Sequence, residues 1–300
     1  MWTGQIRLPF PSFGYLFVLV LLVGNEVWAQ QPCTSIPALK SQAVSSIFGS
    51  EQERMLGDIE AQFVEQNYLV LHDDESAAHL NTVARRIFSQ LPSEQMRVRI
   101  ILIDTQEPES FSVGPERIYL ARKMIRLLKN DDELAGLLGH ELGHILTHQN
   151  AIMVSALFHE ILRVNSVSDR KDISEKFTRL LDSIDGNKKM LWKASQVMER
   201  QEAIDQYEAD RVAIFASAAA GFSAQAFLDL FERSAGTNGR TRNLMTDIFA
   251  ATSSDERRLR EIKKTLMQLP KPCREIAVAS SKEFRTWQAA ILSYSDQAAQ

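Results

Sequence analysis

Residues 140–144 read His-Glu-Leu-Gly-His, two imidazoles four positions apart with a carboxylate between them. On an α-helix, positions i and i+4 lie on one face, so His140 and His144 can hold a single Zn2+ while Glu141 sits beside the metal's open position. That combination suits hydrolysis, with the carboxylate taking a proton from water while the metal polarises the carbonyl to be cut. Leu134, Leu137, Leu138, Leu142 and Ile145 recur at helical spacing and give the segment an apolar face to bury. Gly143 removes a side chain next to the site, which fits either a close backbone approach or ordinary helix packing. Two core histidines that happen to lie four apart are the bland alternative for the whole motif. His148 falls a turn further on and is expected in a polar supporting or surface role. His72, His79 and His159 have no motif around them and are expected at surface or cap positions.

A helix must carry this motif, and other elements must hold that helix. Apolar residues recur at three and four from Ser50 to Gln66 and from Glu75 to Gln90, as in Leu80, Val83, Ala84 and Ile87, which predicts two amphipathic helices. Met96–Asp104 and Ser110–Leu120 are rich in β-branched and aromatic residues, the second broken by Gly114-Pro115, and predict a small antiparallel pair. Beyond Arg122 the pattern is helical over Lys123–Leu128, Asp131–His148, Ile152–Val164, Asp172–Ile184, Lys188–Ala220, Ser223–Ser234 and Asp255–Leu269. Breaks at 165–169, 183–188 and 236–242 read as loops inside one body. The expected class is mainly α, of α+β type, with a small antiparallel sheet beside the helices. The stretch 161–192 is longer and more charged than a metal site requires and reads as a lid, a partner surface or an insertion.

The chain has 300 residues, 45% hydrophobic and 24% charged, which fits one globular domain or at most two. A net charge of −4 gives no electrostatic reason to expect nucleic acid as a partner. Arg7, the 11-residue apolar run Phe13–Val23 and Val27-Trp28-Ala29 read as a signal peptide over residues 1–29, since a membrane span needs about 20 such residues. An uncleaved anchor is the alternative. Cleavage removes Arg7 and Glu26 together, so the mature charge is 33 − 37 = −4. Gln31-Pro32 before Cys33 is not a lipobox. The expectation is an exported chain, periplasmic or secreted, with at most peripheral membrane association. In an oxidising compartment Cys33 and Cys273 either pair or remain two thiols that never meet. Residues 30–270 are expected as one domain, with a tail 271–300 whose Phe284, Trp287, Ile291 and Leu292 form an apolar face for packing on it.

A zinc hydrolase of this kind needs a third protein ligand, and the long helical stretch Met198–Ala220 is where to look. It contains Asp205-Gln206-Tyr207-Glu208-Ala209-Asp210-Arg211, followed by Ala219-Ala220-Gly221-Phe222. With Glu51-Gln52-Glu53, Leu56-Gly57, the strand Phe111–Leu120 and Asp132-Glu133-Leu134-Ala135, the chain resembles the gluzincin metallopeptidases that include the CAAX prenyl endopeptidases, HtpX and BepA. It looks most like their exported, soluble branch, and the resemblance runs from about Glu51 to Leu269. It implies a zincin-like domain with an active-site helix and a long third-ligand helix, holding one Zn2+ per chain on His140 and His144, with Glu141 as general base. Asp210 would orient a zinc histidine through its second ring proton; an ion pair with Arg211 or another neighbour is the alternative. The strand 110–120 would bind substrate by β-augmentation. Substrates would be unfolded or misassembled envelope proteins, outer-membrane proteins among them, in protein quality control.

The resemblance places the third ligand four residues before that aspartate, and this chain has Gln206 there where the family has Glu. A neutral amide carbonyl is a weaker donor to Zn2+ than a carboxylate. Glu202, one turn earlier, is the substitute, whereas Glu208 lies roughly 200° around the helix and should point away. A Thr-His-Pro run common in the family corresponds to Thr252-Ser253-Ser254, which has no histidine. Two expectations follow: an active zinc metalloendopeptidase, or a catalytically impaired pseudoprotease that binds envelope proteins without cutting them.

Overall fold

Ile118, Tyr119, Leu120 and Ala121 are all fully buried, and a strand apolar on both faces belongs inside a sheet covered by helices on both sides. The computed structural model describes Met1, Cys33, Leu39 and residues 46–72, 74–90, 97–105, 107–234, 256–279 and 281–293, without the side chains of 74–76, 201–205 and 234. The predicted signal peptide, the break at 236–242, Thr252-Ser253-Ser254 and the side chain of Glu202 lie outside the described residues. From Cys33 onward the described residues belong to one unit.

In chain order the elements are α1 (Ser50–Asn67), β1 (Leu69–Leu71), α2 (Asp74–Phe88), β2 (Arg99–Asp104), β3 (Ser110–Val113), β4 (Arg117–Ala121), α3 (Arg122–Leu127) and α4 (Asp131–Leu146). Then come α5 (Gln149–Leu157) with a π-helical turn (Phe158–Leu162), α6 (Arg170–Ile184), α7 (Lys188–Ala219), α8 (Ala224–Ser234), α9 (Glu256–Leu266), α10 (Lys271–Arg274) and α11 (Lys282–Ser293). The mainly helical class holds, but the sheet is not an antiparallel pair. It has four strands in the order β1-β2-β4-β3, with β1/β2 and β3/β4 antiparallel and β2/β4 parallel. The segment 110–120 folds at Gly114, whose φ of +55° suits glycine, into a hairpin. Both arms are buried; β4 lies inside between β2 and β3, and β3, with Ser110 and Ser112, takes the edge.

Alternation along the strands then divides the core. Ile103, Phe111, Tyr119 and Ala121 join α1, α5, α6 and the first half of α7 on one face. Leu102, Ile118 and Leu120 join α2, α3, α4 and α11 on the other. The second half of α7 packs with α8, α9 and α10. The stretch 161–192 is therefore part of a helical layer, with Ile173, Phe177, Leu180 and Ile184 of α6 buried in the first of these cores. In the tail, Phe284, Trp287 and Ile291 are buried in the second. Cys33 and Cys273 form a disulfide across 240 positions of sequence.

The first turn of α4 anchors the helix that carries the motif. Asn130 caps it, its side chain accepting from the Glu133 amide at 2.8 Å. Asp131 accepts from His79 of α2 at 2.7 Å and from Ser281 before α11 at 3.1 Å. Asp132 accepts the backbone amides of Ser223 and Ala279 at 2.8 and 2.7 Å, and Glu133 takes Arg233 of α8 at 2.6 Å. Three consecutive acids at a helix N-terminus also complement the helix dipole.

Candidate active site

Two glycines on α4 let α7 approach to near backbone contact. A Cβ added at Gly143 would lie 2.5 Å from Ala209 Cα, and one at Gly139 would lie 3.0 Å from Ala213 Cα. Of the two roles open to Gly143, close backbone approach is the one realised. The antiparallel register 139 to 213 and 143 to 209 brings the Gln206–Asp210 turn against the motif.

His140 and His144 project from one face of α4, and their Nε2 atoms converge to 3.0 Å with the rings near perpendicular. His140 Nδ1 lies 2.9 Å from Asp210 Oδ1, which holds the ring with Nε2 turned inward. Burial, with the neighbouring His140 and Arg258, lowers the pKa of His144 well below the ordinary histidine value and favours the neutral imidazole that a metal needs. His144 Nδ1 is buried without a hydrogen-bond partner among the described residues.

Glu141 reaches the sheet edge. Ser110 Oγ of β3 donates to its carboxylate at 2.7 Å, and the Ser112 backbone N–H donates to it as well. Burial raises its pKa, against the opposing pull of His140, these two donors and Arg258. Asp210 shows the reverse balance: burial pushes its carboxyl up, but the Arg258 charge and the hydrogen bonds from Arg258 and His140 hold it at about 2. Arg258, from the first turn of α9, forks onto Asp210 with Nε to Oδ2 at 2.8 Å and Nη2 to Oδ1 at 2.7 Å. Asp210 thus pairs with His140 and Arg258, while Arg211 pairs with Glu208 at 2.8 Å.

Residues 73–266 match the model of peptidase family M48. The chain belongs to peptidase family M48. No curated protein matches it. Membership makes the HExxH helix that of a metallopeptidase family, whose members are typically zinc enzymes. The donor set of this M48 chain can be tested against that ion. Two nitrogens each about 2.0–2.1 Å from a tetrahedral Zn2+ stand roughly 3.3 Å apart, close to the 3.0 Å between the two Nε2 atoms. The histidine pair therefore fits. Among the described residues no group of three His, Cys, Asp or Glu side chains is placed to hold a metal; Gln206 is buried on α7 one turn before Asp210.

Glu208 is buried in its pair with Arg211. His148 stands between α4 and α5 in a left-handed conformation (φ 55°) and pairs with Glu53 of α1 at 2.8 Å. His79 is not a surface residue: it stacks on Trp287 at 4.6 Å and bonds Asp131. His159 closes the turn after α5 through Asn165. Ser110, Ser112 and Arg258 escaped the sequence reading. The serines had a signal in their i, i+2 spacing on a strand that ends beside the motif. Arg258 had one in its position on the α9 stripe, four and eight residues before the buried Ile262 and Leu266, where an apolar residue is the rule.

Proposed function

We propose that this M48 protein is an exported zinc-dependent metalloendopeptidase that hydrolyses peptide bonds of unfolded or misassembled envelope proteins. The observation that carries the reading is the convergence of His140 and His144 at 3.0 Å with Glu141 beside them. His140 and His144 would hold the ion, with Gln206 or Glu202 completing the set. A bound zinc ion supplies Lewis acidity toward a peptide carbonyl and acidifies water. Glu141 takes the proton from the attacking water and returns it to the departing amine; burial, which raises its pKa, favours its holding that proton in between. Ser110 and Ser112 fix the carboxylate, and Asp210 fixes the His140 ring.

The substrate class rests on β3. It is an edge strand, and the Ser112 N–H that reaches Glu141 points away from β4, so an extended chain added to this edge would run past the carboxylate. Recognition through backbone groups suits unfolded chains of varied sequence. Export is supported by the Cys33–Cys273 disulfide, which belongs to oxidising compartments. No helix among the described residues is long and apolar enough to cross a membrane.

Glu141→Gln should reduce cleavage of casein by about 10²–10⁴-fold with an unchanged circular-dichroism spectrum; undiminished cleavage sinks the proposal. Gln206 favours one second reading, a pseudoprotease that captures envelope proteins without turnover. Zinc content separates the two. Near one zinc per chain in the unaltered protein supports the peptidase, and zinc held only by Gln206→Glu supports the pseudoprotease.

A further inference from the structure

Arg258 is 4% exposed. A guanidinium is taken out of water only when its charge and donors are matched, and the Asp210 carboxylate supplies a two-pronged match. Its fork engages both oxygens of Asp210, at 2.8 and 2.7 Å. The oxygen that accepts Nη2 is Oδ1, which also lies 2.9 Å from His140 Nδ1. Nη2 itself stands 3.4 Å from that ring nitrogen. The guanidinium carbon lies 4.7 Å from the Phe231 ring centroid, so an aromatic face from α8 backs the cation in place.

We infer that Arg258, acting through Asp210 and His140 and not on the metal itself, sets the charge of the metal site: by sharing the Asp210 oxygen that His140 uses, it holds zinc affinity down. The inference rests on the metallopeptidase reading above. A carboxylate hydrogen-bonded to the outer nitrogen of a metal-binding imidazole raises that ligand's basicity. Arg258 draws on the same oxygen, and its own positive charge stands one imidazole ring from the metal-binding nitrogen, in a setting shielded from water where charges act strongly on one another. Gln206 adds no negative charge in compensation. His140, His144 and Gln206 are thus neutral donors beside an ion pair whose cation faces the ligand histidine.

A merely structural Arg258 and a charge-setting one predict opposite signs. If the arginine serves only to hold Asp210, removing it loosens His140 and weakens zinc binding. If it sets the charge, Arg258→Met frees the whole Asp210 carboxylate for His140, removes a repelling cation and strengthens binding.

The experiment is zinc affinity by chelator competition on the whole chain, with thermal melting of each metal-free variant. Arg258→Met should bind zinc about 10-fold or more tightly than the unaltered protein, in the range that partners of metal ligands command. Arg258→Lys, which keeps the charge, should stay within about 3-fold. Should Arg258→Met fail to fold with Asp210 left unpaired, the same comparison is made between Asp210→Asn and Asp210→Asn/Arg258→Met, where loss of the cation must again tighten binding. Equal or weaker zinc binding in the folded arginine-free variant overturns the inference and leaves the metallopeptidase reading standing. Zinc bound by none of the proteins, Gln206→Glu included, overturns both.

Discussion

Two buried polar clusters lie on either side of the α4–α5 junction, and they treat their acids in opposite ways. At the α4/α7/α9 seam, Asp210 meets a buried arginine and a histidine, and its carboxyl is held at about 2. Between α1 and α5, Glu60 is equally buried but has one neutral partner, the Asn150 side-chain amide at 3.1 Å. Its other oxygen and Asn150 Oδ1 find no hydrogen-bond partner among the described residues. Burial pushes Glu60 up to about 8, and the nearby Glu53 adds to that. The two carboxyls differ not in depth but in what faces them: a matched charge keeps a buried acid ionised, and without one the acid takes up a proton.

The contrast predicts opposite outcomes on deleting each acid. Asp210→Ala strands the Arg258 guanidinium in the interior and should cost about 3–5 kcal/mol of unfolding free energy, read by urea denaturation in the presence of chelator. A loss below about 1 kcal/mol would mean that the pair is solvated and the contrast is empty.

Glu60→Gln should instead stabilise the protein, and only at high pH. The folded-state pKa of Glu60 lies above its ordinary 4.5, so the folded protein binds this proton more tightly than the unfolded chain does. Its contribution is fully present below about 4.5, falls as pH rises, and is lost above about 8. Glutamine keeps an uncharged group of the same shape, so the variant should match the unaltered protein near pH 5 and exceed it by a few kcal/mol at pH 9. Glu109, raised to about 7 by burial, gives a slope of the same sign that persists in the variant. Identical pH slopes in the two proteins would remove Glu60 from the account.

Glycines also close the α4/α7 seam and the contact of α1 with the β3–β4 turn, which separates stability from function. Gly143→Ala places a Cβ 2.5 Å from Ala209 Cα, and Gly57→Ala places one 2.8 Å from Gly114 Cα. Both should cost about 1–3 kcal/mol, because backbone must move in each. Only Gly143→Ala parts α4 from α7, so it alone should also weaken zinc binding. Equal effects of both variants on zinc would show that the α4/α7 seam does not set the site.

How much of this was legible in the sequence depends on how local the cause was. The helix of His140, Glu141 and His144 was readable because its spacing and its leucine stripe lie within one segment. The sheet order was not, since the place of β4 is decided by helices from both ends of the chain covering its two faces. Strand β1 spans three residues, Leu69–Leu71, too few for a period-2 pattern to register. Arg258 hid because its partner is 48 residues away and its neighbours on α9, Arg257 and Arg260, look like a solvated basic face. His79 hid for the same reason, as its aromatic partner Trp287 comes from the tail.

The smallest effect tests the α1/α5 cluster at its rim. His148 adopts φ 55°, a conformation that costs a residue with a Cβ about 1–2 kcal/mol and glycine much less. Against that stands its contact with Glu53, which raises the imidazole pKa through the hydrogen bond and the carboxylate charge. The side chain is 60% exposed, so the pair is screened and worth at most about 1 kcal/mol. A raised histidine pKa means that this contribution is complete below the ordinary 6.5 and disappears as pH climbs through the raised value. His148→Gly should therefore stabilise the protein by about 1 kcal/mol at pH 9, with the gain shrinking toward zero at pH 5. A gain that does not change with pH would show that Glu53 does not depend on His148 for its charge balance, and the α1/α5 cluster would then be a cluster of acids alone.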